Sequence, residues 1–520
     1  MDSTRKIFRL LVYVFWMGVL SGCARDARVA DPVEIPDEPV SGGELVVAIQ
    51  SDGRTLDPHR ATDAASMRLI ENLYGTLMRY TEAYGEVEPY LAESVDLSDD
   101  QMTYTFRLRD DVRFHRSRRP MTSADVRYSI ERIMDEQVRA DQFRHIASME
   151  MPDAQTLVIR LERPVAPFLT YLAYPMNAVV DREVVEANEG ALDQAAGGTG
   201  PFTLVEWRKD RHLIMERHPA YHVDGLPRLD RVMFRPISDE TARTTALRNR
   251  EVDLMLDVPD KDRTILERTG HVMIESVPGT FWEYIGLNAE ASPFDDPLVR
   301  QAVAWAVDRQ MINQIVKLGR ATVTDGEFFP PNHWAHTGQS LYSKRDLDKA
   351  RRLLQEAGHA EGFSTSMRVG TAFPYQVAAA QIVKQQLIEV GIDMELVSEE
   401  SGVFFDALNR GDFSMTLVGW LGFVDPDEWL YNIFHSDGPW NQQNYSNPDV
   451  DALLEKGREE SDPKQRIAIY REAQRRILTD APIVLLYVNE QTSARLHRVQ
   501  GYRVHPTATT LSLRETWVVP

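Results

Sequence analysis

Cysteine is almost missing from this chain. Cys23 is the single one among 520 residues, so no disulfide forms within the chain and its fold has to be held by burial and hydrogen bonding. Positive charge is short as well. With a formal net charge of −21 the surface repels nucleic acid and anionic lipid, and neither is an expected partner. The apolar run from Leu10 to Leu20 is about half the length a membrane span needs, and no later run is long or apolar enough. Signatures of catalysis are missing too: there is no GxSxG elbow, no HExxH, no paired CxxC and no glycine-rich dinucleotide turn. The glycine cluster Ala195–Pro201, AAGGTGP, has no Lys-Ser/Thr pair and leads into an alternating strand pattern, so it reads as a tight turn and not a phosphate cradle.

What is present is a large globular body. Hydrophobic residues make up 43%, and the length predicts two to four domains. Arg5, Lys6 and Arg9 precede the apolar run and Ser21-Gly22 follow it, the pattern of an export signal over residues 1–22. Leu20-Ser21-Gly22-Cys23 resembles a bacterial lipobox, which would make Cys23 a lipidated first residue of the exported protein. Residues 23–41, rich in Asp, Glu and Pro without periodicity, read as a solvated tether.

Along the body the elements are mixed. Leu45 to Ile49 reads as a buried strand and Met67 to Leu77 as an amphipathic helix. Tyr104, Phe106 and Leu108 alternate with polar neighbours as in an antiparallel strand, and Thr122-Ser123-Ala124-Asp125 is a variant capping box for a helix with Val126, Ile130 and Ile133 inside. The stretch around which the chain is organised is Tyr284–Gln310. A short strand, Tyr284–Leu287, runs through an acidic, proline-containing loop into a helix capped by Asp296 with Pro297 at N1, a unit that suits the crossing between two domains. From Asp346 to Trp420, two helices ending at Gly358 and Gly391 alternate with strands at Ile392–Val397 and Phe413–Gly419, which predicts a largely parallel sheet with ligand contacts at the strands' carboxyl ends. Trp420 is there either a pocket wall or a core residue. His212, His218 and His222 do not share a face that could hold zinc, and His333 and His336 read as exposed loop residues. Asp295-Asp296 and Asp425-x-Asp427 are explained by helix starts without chemistry. With no nucleophile, base or metal set in view, the chain leans towards binding and not catalysis.

Several of these landmarks occur together in one family. Val87-x-Pro89-x-Leu91-Ala92-Glu93-Ser94, Tyr104–Arg109 with Val112-x-Phe114, Thr122–Val126, Gly198–Phe202, Tyr284–Asn288 with Val299–Ala302, and Gly419-Trp420 with Asp425-Pro426 resemble, in order, the extracytoplasmic solute-binding proteins of the oligopeptide/dipeptide/nickel class that feed ABC importers. The resemblance implies an α/β, two-lobed periplasmic-binding-protein-like fold (type II, cluster C) with two hinge crossings and an extra subdomain. The implied division is 42–60, 186–280 and 486–520 for lobe I, 61–185 for the inserted subdomain and 281–485 for lobe II, with the first hinge near Glu283 and the return at Leu485–Asn489. It further implies no enzymatic activity and no cofactor, export to the periplasm or cell surface, and ABC permease and ATPase subunits as partners, with the membrane touched only through the lipid anchor.

The ligand contacts implied are Thr62, Asp63, Ser66, Phe373, Tyr375, Ser401, Gly419, Trp420, Leu421, Gly422, Phe423 and Asp425. Dipeptide-binding members carry an Asp soon after the Gly-Trp pair for the ligand's ammonium, where this chain has Phe423. They carry an Arg before a Pro-Tyr pair for its carboxylate, where this chain has Phe373; many relatives have Trp at the position of Ser401. Burying a zwitterion without both counter-charges costs about several kcal/mol per unpaired ion, so the expected pocket is apolar and aromatic, and free dipeptides are expected to be poor ligands. An oligopeptide or peptide-like solute leads, a sugar, opine or metal chelate is the alternative, and a secreted hydrolase or a signalling or chaperone role would be the rivals from other classes.

Overall fold

A strand of 16 residues, Val272–Leu287, forms the spine of the molecule. The computed structural model describes residues 35–519 apart from 82–84, 325, 332, 372 and 422–423. The export signal, Cys23, the tether up to residue 34, Gly422 and Phe423 lie outside the described residues. Tyr284–Leu287 is only the end of this strand; the earlier part carries Glu275, Ser276 and Pro278 and lacks the apolar signal that marks a buried strand. Ile483–Leu496 pairs with it antiparallel along most of its length.

These two strands join ten into one sheet, in the order Ile392–Glu399, Phe363–Gly370, Met415–Leu421, Val272–Leu287, Ile483–Leu496, Leu254–Leu256, Glu44–Ile49, Arg231–Pro236, His212–Arg217 and Phe202–Arg208. The sheet is mixed and not largely parallel. Parallel pairing is confined to the first three strands and to Leu254–Leu256, Glu44–Ile49 and Arg231–Pro236, while the spine pairs antiparallel on both sides. One strand of the first parallel block, Phe363–Gly370, has no clear period in its sequence, FSTSMRVG, because only its last residues and Met367 are buried.

On one flank of the spine, Val299, Ala302, Val303 and Ala306 of helix Pro297–Ala306 pack with Ala380, Val383 and Leu387 of helix Pro374–Ile388. Asp296 accepts from the Leu298 amide at 2.8 Å and Pro297 sits at N1, as their sequence positions require. On the other flank, Trp282 and Tyr284 pack with helices Pro426–Phe434, Pro448–Glu459 and Pro463–Asp480. A separate antiparallel sheet of four strands, Ala92–Leu97, Thr103–Leu108, Thr156–Leu161 and Ile146–Asp153, holds its own core with helix Ser123–Glu136, opened by the expected capping box.

The first helix ends at Leu73 and not Leu77. Gly75 bridges to Val179 there, and Gly198 and Gly200 of the glycine turn press so closely on Leu73 that a Cβ on Gly198 would lie 2.0 Å from the Leu73 carbonyl oxygen. That contact is why the turn needs glycine. His333 is buried, not exposed: its Nε2 meets the Val424 carbonyl at 2.9 Å, its Nδ1 accepts from the Ala335 amide, and burial lowers its pKa to about 4. Among the described residues no group of three or more His, Cys, Asp or Glu could hold a metal, and no helix is long and apolar enough to cross a membrane.

Candidate functional site

The two long strands fall out of simple register at two places, between Pro278 and Trp282 and again between Glu283 and Tyr284. Pro278 faces Glu490 and Trp282 faces Val488, so the three residues between them oppose Asn489 alone. A bulge of this kind bends and twists a strand, and bulges gather at functional sites. Gly279 is required inside it, since a Cβ there would lie 2.7 Å from the Asn489 carbonyl oxygen.

Alternation sorts the residues that follow on to two faces. Trp282 lies against Trp429 with 3.3 Å between ring centroids, the rings tilted by 30°, and meets Phe328 at 5.3 Å. Trp420, paired with Trp282 across the sheet, is half-buried and lies 5.2 Å from Trp440. On the opposite face stands Glu283, fully buried. Its Oε2 accepts from Gln376 Nε2 at 3.0 Å and its Oε1 from Asn489 Nδ2 at 3.4 Å, and the Tyr375 hydroxyl bonds to it. Burial pushes its pKa up to about 7 against these three hydrogen bonds. Gly419 leaves room for it: a Cβ there would lie 2.9 Å from Glu283 Oε1 and 2.3 Å from the Phe281 ring.

A cavity of about 790 Å³ opens between the subdomain and the far side of the sheet, a size that suits a small organic solute. Thr62, Arg139, Tyr171 and Tyr174 line it from one side, Glu428, Tyr431, Trp440 and Arg458 from the other. The two sides touch at its edge. The Ala166 amide donates to the Arg458 carbonyl at 2.7 Å, the Tyr171 hydroxyl to Asp427 at 3.2 Å, and Val424 is buried in the subdomain's core. The guanidinium of Arg139 is held by the carbonyls of Pro58, Ala61 and Met176 and by Asn177. Glu428 reaches the Asp425 amide with one oxygen and leaves the other without a partner; burial, then the neighbouring Asp425 charge, raises its pKa well above the usual range.

The residues expected to contact ligand divide accordingly. Tyr375 and Gly419 meet at Glu283, with Phe373 6.0 Å from the Tyr375 ring; Thr62 faces the cavity, and Trp420 joins it through Trp440. Ser401 starts helix Ser401–Asn409, and Leu421 ends its strand opposite Phe281. Three others are committed to structure. Asp63 caps helix Ala64–Leu73, and fully buried Ser66 accepts from the amides of Arg54 and Thr55. Asp425 caps the next helix and takes both arms of Arg466 at 2.7 Å, while Asp427 takes Arg458 at 2.9 Å. Their carboxylates are therefore already neutralised and are not open acceptors, contrary to the expectation for Asp425. Glu283, Gln376, Asn489 and Trp440 were not expected as contacts. Only Glu283 had a sequence signal, an acid within the apolar run Phe281–Leu287.

The fold agrees with those of known proteins. Glutathione-binding protein GsiB of Escherichia coli (strain K12) is 28% identical over 476 residues, covering 89% of this chain and 92% of the relative. Among solved structures, DppA of Helicobacter pylori in complex with peptide STSA is 29% identical at a TM-score of 0.79 and covers 92% of this chain and 98% of that one. AgaA from A. tumefacien R10 in complex with agropinic acid is 28% identical at a TM-score of 0.79, covering 92% and 99%. Residues 86–442 match the family model described as bacterial extracellular solute-binding proteins, family 5 Middle, and the chain belongs to that family.

Proposed function

We propose that this protein is an exported lipoprotein, anchored at Cys23, that captures an oligopeptide or peptide-like solute between two lobes and delivers it to the permease and ATPase of an ABC importer. The lobes take the boundaries implied by the sequence, with 42–60, 186–280 and 486–520 against 281–485 and the subdomain 61–185 riding on the first. The observation that carries this reading is the bulge at Pro278–Trp282. Register breaks in two long paired strands are where rigid halves can rotate, and closure over a solute removes it from water and gives the transporter a distinct state to engage.

The proposed solute contacts are Thr62 and Trp420 on the cavity side of the sheet and Tyr375, Gly419 and Glu283 at the strand crossing; Phe373, Ser401, Leu421, Gly422 and Phe423 complete the set expected from the sequence. A peptide reading is supported by DppA with peptide STSA and by glutathione-binding GsiB. An opine-like ligand is the second reading, supported by AgaA with agropinic acid. Native mass spectrometry of gently purified protein tests both: a co-purifying peptide mass is expected, and an opine or sugar mass would replace it. X-ray scattering should give a smaller radius of gyration with solute than without; an unchanged radius would remove the closing motion. Free dipeptides should bind more weakly than micromolar by calorimetry, because no arginine precedes Pro374.

A further inference from the structure

Buried polar atoms without partners are uncommon in native proteins and call for an explanation. Several gather around the strand crossing. The Gln376 Oε1, Asn489 Oδ1, Tyr487 hydroxyl and Thr280 hydroxyl are all buried without a hydrogen-bond partner. Gln376 and Asn489 each turn their NH₂ group to Glu283, so their carbonyl oxygens, which can only accept, are left over. The described groups facing the Glu283 carboxylate are neutral. Tyr375 and Tyr487 are the titratable neighbours, and Lys317, whose ammonium lies 5.4 Å from the Tyr375 ring centroid, pairs with Asp260 at 2.6 Å. Strand crossing, carboxylate and surplus acceptors thus coincide, and the groups hydrogen-bonded to the carboxylate are two amides and a phenol, none carrying positive charge.

We propose that the Glu283–Gln376–Asn489 cluster is the seat for a cationic nitrogen of the solute, a primary ammonium or a guanidinium, and that Glu283 sets the specificity for it. This rests on the reading of the chain as a solute receptor. An ammonium has three N–H donors, enough for the carboxylate and the two amide oxygens, and its charge compensates the buried carboxylate. A water molecule could satisfy the amides but would leave that charge uncompensated. The same seat replaces the acid missing at Phe423, from the hinge strand instead of the loop, and access to it comes with opening of the lobes about the bulge. Cation capture would hold Glu283 ionised near neutral pH, where burial alone leaves it partly protonated.

The test is calorimetry at pH 7 with tri-alanine and N-acetyl-tri-alanine on the wild-type protein, Glu283→Gln and Gln376→Met, with thermal melts to show that each variant is folded. The wild type should prefer the free amine by more than tenfold, Glu283→Gln should reduce that preference to about twofold or less, and Gln376→Met should lower it several-fold. Should Glu283→Gln not fold, Gln376→Met and Asn489→Leu carry the same test. Equal binding of both probes by the wild type, or a preference that survives in Glu283→Gln, overturns the assignment while leaving the peptide reading in place. No binding of either probe overturns both.

Discussion

Two sets of buried carboxylates flank the strand Met415–Leu421, and they are treated in opposite ways. Asp425 and Asp427 lie beyond its end, each matched by a buried arginine, Arg466 and Arg458. In both arginines burial works against the charge, and the paired aspartate outweighs it, so their pKa values stand above the ordinary value. Glu283, as completely withdrawn from water, has amides and a phenol around it instead and rises to about 7. All three carboxylates are buried, and what differs is the neighbour each one meets, an arginine or neutral amides. The first arrangement closes a helix start; the second is the seat proposed for a solute's cation.

The sharpest way to break the contrast is to remove one arginine. Arg466→Met strands a buried carboxylate and should destabilise the fold by about 3–5 kcal/mol, read as a lowered urea midpoint; the double variant with Asp425→Asn should recover much of the loss. Next comes Glu283→Gln. A buried acid whose folded pKa is raised makes the native state bind the extra proton, so the unliganded protein loses stability as pH rises from about 4.5 to about 7. The variant should therefore melt higher than wild type at pH 8, by up to roughly 3 kcal/mol in stability, with the gap gone below pH 4.5. Equal pH profiles for the two proteins would show that Glu283 is not the group responsible. Gly419→Ala should cost about 1–3 kcal/mol through overlap with Phe281 and Glu283, and urea denaturation would measure it. The smallest effect, about 1 kcal/mol, belongs to Tyr171→Phe, which removes one hydrogen bond to Asp427 but leaves Arg458 in place; scattering should then show the unliganded protein more open.

Much of the architecture was legible because it depends on local chemistry. The caps at Asp296 and Thr122, the stops at Gly358 and Gly391, and the buried faces of the helices they bound follow from neighbouring residues alone. Phe363–Gly370 escaped notice because only Met367 and its last residues are buried, which leaves no clear alternation, and Val272–Pro278 because its polar residues meet the return strand, not a core. Within the site, aromatic character at Phe373, Tyr375 and Trp420 could be read directly. The apolar pocket expected there could not have included Glu283, whose role depends on Gln376 and Asn489 being folded against it.

By itself, then, the sequence determined an α/β chain of family-5 type, with its element order, its caps and no metal or nucleophile set to suggest catalysis, since periodicity and capping act over a few residues. Only the tertiary structure decided which buried acids are paired with arginine and which are met by neutral groups. Asp425 and Arg466 are 41 residues apart, and Glu283 and Asn489 are 206 apart; charge compensation is a property of distance in space, which spacing along a chain does not contain.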